Sequence, residues 1–343
     1  MNQKFINAIK CIPQSVPPIW FMRQAGRYHS HYQKLRKKHT FEELCKIPEL
    51  AAEVACGPID DFDYDVAILF SDILYPLEIL GLGLSYRPGP TFENYLTSAS
   101  SEKKITTDLI EEYLGFQSKA IKLTIDKLPS NKSLVGFVGG PWTILSYGLN
   151  LKNEKHVDIQ EQEPFVEKLL YEVMMPLLKE NISMQLKAGA EIIYIFDTNS
   201  SQLDEGYFMK QYFVDMREQL FLPFNNKVAY FSKNQAIYKA PKLNIKKNGL
   251  SGLVFSGENG INNFLKNRNN GFVQGNFSPL SLLKPHDKYV KDFEIFLAEM
   301  STLSMEERAG WICSLNHGVL PKTPEINVKH FIQGIRDHFS RIK

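Results

Sequence analysis

The chain has 343 residues, 43% of them hydrophobic and 23% charged, which is the composition of a globular protein long enough for two average domains or one large α/β barrel. Forty basic residues nearly balance 38 acidic ones, and the net charge of +2 without a long run of one sign argues against a general nucleic-acid-binding protein. The four cysteines form no CxxC or HxC pair, the N-terminus lacks a signal-peptide pattern, and no apolar run nears the roughly 18 residues of a membrane helix, so we expect a cytoplasmic protein with reduced thiols.

Short apolar runs rich in β-forming residues recur along the chain and predict strands. They are nearly continuously apolar, as strands of a parallel sheet covered on both faces are. The predicted strands are Ile19–Met22, Val66–Phe70, Leu134–Val138, Ile192–Phe196, Val228–Phe231, Gly252–Phe255, Phe272–Gln274 and Ile312–Leu315. Eight such runs separated by other elements indicate a repeated β-α unit.

Amphipathic segments of helical period lie between most of these runs. The predicted helices are Pro48–Phe62, Glu111–Leu128, Glu163–Gly189, Asp287–Met300 and Glu325–Ile342. The pattern predicts an α/β fold, a (β/α)8 TIM barrel forming one domain over residues 1–343, with short helices between the fifth and seventh runs. A doubly wound open sheet is the alternative, although no GxGxxG turn or P-loop supports it. The Asn/Lys-rich patches 242–248 and 262–270 are interpreted as solvated loops or helix faces.

In the stretch 18–36, a short apolar run is followed by three arginines. Arg23 follows Met22 directly, Arg27 and Arg36 come next, and Gly26 permits a close approach of backbone. Guanidinium groups bind planar oxyanions through paired hydrogen bonds, so this pattern is typical of a site for carboxylates or phosphates. Pairing with acidic residues of the chain itself is the alternative.

Polar side chains follow most of the other runs as well, and barrels place their catalytic residues at the carboxyl ends of strands. The residues at these positions are Ser71, Asp72, Gly139–Trp142, Tyr147, Asp197, Thr198, Gly275, Asn276, Asn316 and His317. Each has a structural alternative: Asp72 as a helix cap, His317 as a loop residue, Tyr147 as a core aromatic with a bonded hydroxyl, and Asp197 as the partner of an arginine. Their convergence on strand ends favours a common site.

Several of these segments resemble the uroporphyrinogen decarboxylase family, from about Phe5 to the C-terminus. The longest is WFMRQAGRY at 20–28, which is similar to the N-terminal signature of that family. The others are PELAAEV at 48–54, FSDIL at 70–74, GFVGGPWT at 136–143, QGN at 274–276 and HGVLP at 317–321. They follow in the order and spacing of the family.

The chain departs from the family pattern in four places. HSHY at 29–32 replaces the usual LPEY, FDTNSS at 196–201 replaces FDSWAG, QGNFSP replaces QGNLDP, and LNHG replaces LGHG. Thr198 therefore stands where serine is usual, and the region 224–271 matches poorly. These departures affect the expected substrate contacts and the later strands.

The resemblance implies a cofactor-free, metal-free decarboxylase that converts the four acetate side chains of uroporphyrinogen III to methyls, giving coproporphyrinogen III in haem biosynthesis. It implies that Arg23, Arg27 and Arg36 bind carboxylates and that Asp72 accepts hydrogen bonds from pyrrole N–H groups. Tyr147, Thr198 and His317 match positions that contact substrate carboxylates, and Phe137 would form an apolar wall. Gln24, Ala25 and Gly26 complete the predicted substrate-binding segment, and a homodimer is expected by the same analogy.

The proton donor is open between two residues. The resemblance assigns the role to Arg23, but a guanidinium with a pKa above about 12 gives up its proton reluctantly. His317, expected to titrate near neutrality, is the easier donor. Asp72, Arg23 and His317 are thus the predicted catalytic residues.

Two other functions are open. A corrinoid or thiol methyltransferase of the same superfamily would use zinc held by His and Cys, which the missing HxC pair and the RQAGR segment argue against. A porphyrinogen-binding protein without catalysis is favoured only by the altered HSHY and DTNSS segments.

Overall fold

In a computed structural model of the chain, the structure describes residues 1–87, 89–239, 243–257, 260–267 and 270–341. Its centre is a parallel sheet of seven strands: β1 (Val66–Ile68), β4 (Ser133–Gly139), β5 (Ile193–Asp197), β6 (Val228–Ser232), β7 (Leu250–Val254), β8 (Phe272–Phe277) and β9 (Trp311–Leu315). Two further strands, β2 (Leu84–Tyr86) and β3 (Pro90–Phe92), form a separate antiparallel hairpin. The parallel strands follow one another in chain order, which excludes the doubly wound sheet for the described strands, because that sheet reverses its order at a switch point.

The sheet is curled. Tyr194 on β5 packs against Phe272 on β8, with ring centroids 6.1 Å apart, although β6 and β7 lie between their strands. Trp20 packs edge-on against the same Tyr194 at 4.9 Å, so the N-terminal apolar run fills the inside of the curl. The α/β prediction with a parallel sheet is confirmed, and six of the eight predicted runs correspond to strands of the sheet, with Ile192 and Phe255 lying just outside theirs.

The first predicted strand is wrong as a strand. Ile19–Met22 contributes one isolated parallel bridge, between Ile19 and Cys313. The Ile19 carbonyl accepts from the Asp65 amide at 3.0 Å, and the Pro18 carbonyl accepts from the Cys313 amide at 3.0 Å. Pro17 and Pro18 offer no N–H for a ladder, and the Phe21 amide donates instead to the Gln24 side chain, so the run stops pairing after one residue.

The second predicted strand, Val66–Phe70, is shorter than expected and ends at Ile68. The Leu69 amide still donates to the Val135 carbonyl at 3.0 Å, after which the chain turns into the segment that carries Asp72. The Leu74 amide bonds the Asp72 carboxylate at 2.9 Å, and this local bond competes with continued strand pairing.

Helices cover the outer face of the sheet. Their bounds are α1 (Gln3–Lys10), α2 (Ser30–Arg36), α3 (Phe41–Lys46), α4 (Pro48–Phe62), α5 (Thr107–Lys127), α6 (Pro141–Gly148), α7 (Pro164–Lys168), α8 (Met175–Lys187), α9 (Glu205–Tyr207), α10 (Phe213–Met216), α11 (Ala236–Lys239), α12 (Ile261–Asn267), α13 (Pro279–Leu283), α14 (His286–Met300) and α15 (Glu325–Arg341). A π-helical stretch, Leu169–Met174, joins α7 to α8.

The predicted helices correspond to helices of the structure. Pro48–Phe62 is found with the predicted bounds, because Pro48 opens the helix and the left-handed Asp63 closes it. The helices between β6 and β8 are short, as predicted, with α11 spanning 4 residues and α12 spanning 7. Parts of the two Asn/Lys-rich patches, and the end of the last predicted helix at Ile342, lie outside the described residues.

Within the described ranges, none of the helices combines the length and the apolar character required to cross a lipid bilayer. All four cysteines are free thiols, as the sequence predicts, and Cys45 and Cys313 are buried.

Candidate active site

The predicted site residues lie at the carboxyl-end edge of the parallel sheet. Asp72 follows β1, Phe137 lies on β4, Tyr147 is on α6 after β4, Thr198 follows β5, and His317 follows β9. Arg23 occupies the turn after the N-terminal run that bridges to β9. Because parallel strands present their carboxyl ends at one edge, residues far apart in sequence meet there.

Arg23 is held in a strained and closely packed position. Its φ of 61° lies in the left-handed region, which a residue with a Cβ rarely adopts and which is concentrated at functional sites. Gly318, next to His317, leaves room for its side chain, since a Cβ on Gly318 would lie 2.6 Å from Arg23 Cδ. The guanidinium itself remains exposed to solvent, so the stem is fixed while the cation is free to bind an anion.

Asp72 lies close enough to Arg23 for the two charges to interact. Burial raises the pKa of its carboxyl, while the Leu74 amide at 2.9 Å, the nearby Tyr86 hydroxyl and the Arg23 guanidinium lower that pKa. The amide bond is a local cap, as the structural alternative proposed, but it uses only Oδ1. A desolvated carboxylate next to one cation is suited to accept hydrogen bonds from a ligand.

Tyr147 lies near both of these charges. Burial and the charge of Asp72 raise the pKa of its phenol, and Arg23 lowers it, which places the hydroxyl within the field of both residues. The Tyr147 hydroxyl therefore stays protonated near pH 7 and can donate a hydrogen bond. On the solvent side the Lys152 ammonium lies 5.3 Å from the centre of the Tyr147 ring.

His317 completes the cluster, and the prediction that it titrates near neutrality is wrong. Burial, Lys233 and Arg23 together lower the pKa of His317 to about 4. The imidazole is half-buried and contacts the Phe231 ring edge-on, with centroids 5.7 Å apart. Two cations beside a half-buried imidazole disfavour its charged form.

Aromatic rings form one wall of the site. Phe137 on β4 lies 5.7 Å from Phe196 on β5, and Phe196 lies 6.2 Å from Phe231 on β6. Phe231 then contacts His317, so the row spans four elements. Phe137 is thus one of several rings in a continuous apolar surface that reaches His317.

Arg27 and Arg36 form a second group next to the first. Both lie close enough to the buried Tyr32 hydroxyl to lower its pKa, and both are exposed. Arg36 also donates to the His39 carbonyl. Tyr32 packs against Phe70 at 5.7 Å, two residues before Asp72, which connects the two groups through one aromatic contact.

The Gln24 side chain is part of the scaffold, and the predicted substrate-binding role of this segment stays a prediction. It is 1% exposed, its amide donates to the Val66 carbonyl at 3.0 Å, and its carbonyl accepts from the Phe21 amide at 3.2 Å. The side chain thus ties the N-terminal run to β1. Ala25 packs against the Tyr32 cluster, and at Gly26 an added Cβ would come within 3.1 Å of the Arg23 carbonyl, so both shape the turn that presents Arg23.

The altered segment after β5 is a well-bonded turn, and its polar side chains explain the loss of the small residues. Asn199 donates to the Ser146 hydroxyl at 2.8 Å, next to Tyr147 on α6. The Ser200 hydroxyl lies 2.8 Å from that of Ser232 at the end of β6. Thr198, at the start of this turn, is half-buried and lies at the same sheet edge as the other site residues.

Asp197 is buried and structural, but its partners are hydroxyls rather than the arginine considered from sequence. Its carboxylate accepts from the Thr143 hydroxyl at 2.6 Å, from Tyr212 at 2.7 Å and from Tyr230 at 2.9 Å. Burial raises the pKa of Asp197 and these donors lower it. The network fixes the GGPWT turn, which leads into the helix that carries Tyr147.

Lys233 is the charged site residue that the sequence analysis missed. It follows β6 directly, and its charge acts on both Arg23 and His317. Lys233 also satisfies the rule that polar residues directly after a strand are candidate site residues. In the sequence, however, a single lysine after a strand cannot be distinguished from an ordinary surface lysine. Across the described ranges, no group of three or more His, Cys, Asp or Glu side chains is arranged to hold a metal ion.

Comparison with known proteins gives a consistent result. The family model described as uroporphyrinogen decarboxylase matches residues 1–338. The chain is 34% identical to uroporphyrinogen decarboxylase of Geobacter sulfurreducens, covering 97% of this chain and 98% of that one. It is 33% identical to that of Orientia tsutsugamushi, covering 98% and 99%.

Among solved structures, a methyltransferase from Methanosarcina mazei is similar with a TM-score of 0.75 at 18% identity, covering 99% of this chain and 98% of that one. That likeness shows a shared fold. The family model and the relatives, which extend over nearly the whole chain and include every strand end described above, lead to one assignment: the chain belongs to the uroporphyrinogen decarboxylase family.

Proposed function

We propose that this protein is a carboxy-lyase that decarboxylates the four acetate side chains of uroporphyrinogen III, yielding coproporphyrinogen III and CO2. The observation that carries the proposal is the cluster of Arg23, Asp72, Tyr147 and His317 at one sheet edge, in a chain of this family. The cluster combines an exposed cation, a desolvated carboxylate and a phenolic donor beside an aromatic wall, which suits a large apolar ring bearing carboxylates.

The substrate itself provides the electron sink. A proton adds to a ring carbon of the pyrrole, the bond between the acetate methylene and its carboxylate breaks, and the electron pair moves into the cationic ring as CO2 leaves. The methylene carbon then takes a proton to become a methyl, and the ring loses the proton it gained. Each acetate consumes one proton overall, and no redox change occurs.

Asp72 would accept hydrogen bonds from the pyrrole N–H groups and stabilise the cationic ring. The Leu74 amide bonds its Oδ1, and the Tyr86 hydroxyl and the exposed Arg23 guanidinium lie near the same carboxylate. A fixed anion facing a developing cation is electrostatic preorganisation, which contributes about 3 kcal/mol in comparable sites.

Arg23, with Arg27 and Arg36 nearby, would bind the acetate and propionate carboxylates by paired hydrogen bonds. Tyr147 and Thr198 offer hydroxyls to the same carboxylates, and Phe137 contacts the ring face. Substrate carboxylates placed beside His317 would offset the two cations that hold its pKa near 4. Which residue donates the proton, Arg23 or His317, therefore depends on the pKa of His317 in the substrate complex. The pH profile of kcat in His317→Gln distinguishes the two donors.

The overall architecture completes the proposal. The hydrogen bonds that Pro18 and Ile19 make to Cys313 and Asp65 support closure of the curled sheet into a single (β/α)8 barrel domain. A homodimer in the cytoplasm is part of the same proposal, and sedimentation of the purified protein tests its subunit number.

Two other functions compete with this one. A zinc-dependent methyltransferase is suggested by one solved structure of the same fold, at 18% identity. A porphyrinogen-binding protein without catalysis would retain the arginines but release no CO2.

One experiment separates the three. Chelator-treated protein is incubated anaerobically with uroporphyrinogen III, the products are oxidised, and the porphyrins are resolved by carboxylate number. Four-carboxylate product is expected. Binding without loss of carboxylates would indicate the binding protein, and stoichiometric zinc in the untreated sample with no decarboxylation would indicate the methyltransferase.

A further inference from the structure

Lys233 projects from a backbone that is fixed on both sides. Ser232 is 1% exposed and Asn234 is 3% exposed. The Asn234 side chain donates to the Ser200 carbonyl at 3.1 Å and to the Leu203 carbonyl at 3.0 Å, and its amide donates to the Ser232 hydroxyl at 3.0 Å. Lys233 between them is exposed, so its side chain leaves a rigid strand end toward solvent.

The strand end places Lys233 beside the site already described. Phe231, two residues earlier, contacts His317, and Ser232 pairs in register with Asp197, the residue before Thr198. Burial lowers the pKa of His317 and of Lys233, and the charge of Lys233 lowers the first further while the charge of Arg23 lowers the second. Lys233 is therefore a near neighbour of both Arg23 and His317.

Lys233 has no counter-charge of its own. In the part of the chain that the structure describes, no carboxylate forms an ion pair with it, whereas Lys239, on the following helix, pairs with Glu205 at 2.7 Å. A lysine next to an arginine without an acidic partner is electrostatically unfavourable until an anion binds. The same anion would lie within reach of Arg23 and His317.

We propose that Lys233 is a further substrate-binding residue, which pairs with a side-chain carboxylate of the tetrapyrrole on the His317 side of the site. This inference rests on the proposed decarboxylase function. It adds a cation from the sixth strand to the arginines near the N-terminus, so that the ring is held by charges from two sides. The carboxylate thus bound is distinct from those at Arg27 and Arg36, which lie around Tyr32.

The test compares Lys233→Met with Lys239→Met, since both remove one exposed lysine and change net charge equally. With uroporphyrinogen III, we expect KM of Lys233→Met to rise about fivefold to tenfold over Lys239→Met while kcat changes by less than about threefold, because an exposed charge contact acts mainly on binding. Lys233→Arg, which keeps the charge, is expected to recover most of the loss in KM.

The outcomes separate this inference from the function on which it rests. If the wild-type protein releases no CO2, the proposed function fails. If the wild type is active and Lys233→Met has the same KM as Lys239→Met, or if Lys233→Arg is as impaired as Lys233→Met, the assignment of Lys233 is overturned while the decarboxylase remains. Thermal unfolding midpoints equal to the wild type show that the variants are folded.

Discussion

Gly318→Ala is expected to disable the site without disturbing the fold. The added Cβ would lie 2.6 Å from Arg23 Cδ and 2.9 Å from Cγ, whereas carbon atoms pack comfortably at about 3.5 Å. Arg23 must therefore move by about 1 Å. Its backbone is already fixed in the left-handed region at φ 61°, so the displacement falls on the guanidinium.

A misplacement of about 1 Å in a positioning group costs on the order of a hundredfold in rate, or about 2.7 kcal/mol of transition-state stabilisation. We expect kcat/KM of Gly318→Ala for uroporphyrinogen III to fall by about that factor. Gly89→Ala is the matched control, because a Cβ at Gly89 has nothing within 4 Å. Both variants should unfold at the wild-type temperature. Wild-type kcat/KM in Gly318→Ala would refute the view that Arg23 is held by this contact.

Three further predictions concern the charged groups. Arg23→Lys keeps the charge but loses the paired hydrogen bonds, so most of the activity should disappear, and near-wild-type turnover would remove Arg23 from both binding and acid roles. Asp197→Asn replaces an oxygen that accepts from Tyr212 at 2.7 Å and Tyr230 at 2.9 Å, and urea unfolding should show a loss of about 3 to 6 kcal/mol; a loss below about 1 kcal/mol would contradict the network. In the folded protein the pKa of His317 is about 4, below its ordinary value of 6.5, so the unfolded chain binds more protons between these pH values and stability falls on acidification through that window. His317→Gln should remove about 1 to 2 kcal/mol of that fall, after allowance for partial exposure, and an NMR titration of the His317 ring near 6.5 would contradict the assignment.

The sequence was informative where function and fold depend on local pattern. Pro48 and the spacing of apolar residues predict α4 with its observed bounds, because helix starts and faces are read from a few adjacent positions. The strand-end rule likewise predicts that Asp72, Tyr147 and His317 share one edge, since parallel strands align their carboxyl ends.

The errors arose where a residue's role depends on distant partners. Ile19–Met22 has the composition of a strand, yet its pairing is limited by Pro18 and by the Gln24 side chain. Gln24 lies inside a signature segment, and nothing in that segment indicates that its side-chain amide donates to the Val66 carbonyl, 42 positions away. From the sequence alone, the His317 imidazole is expected to have a pKa near neutrality, because the two cations that lower this pKa come close to it only in the folded protein.

If Asp72 supports decarboxylation by this cluster, the rate of single-turnover CO2 release by Asp72→Asn will show it. Asp60→Asn, which removes an exposed carboxylate from α4, is the control. With the protein in excess over uroporphyrinogen III, we expect Asp72→Asn to bind the substrate but release CO2 at least about a hundredfold more slowly than the control, because the anion facing the cationic ring is lost. Equal rates of CO2 release in the two variants would contradict the account.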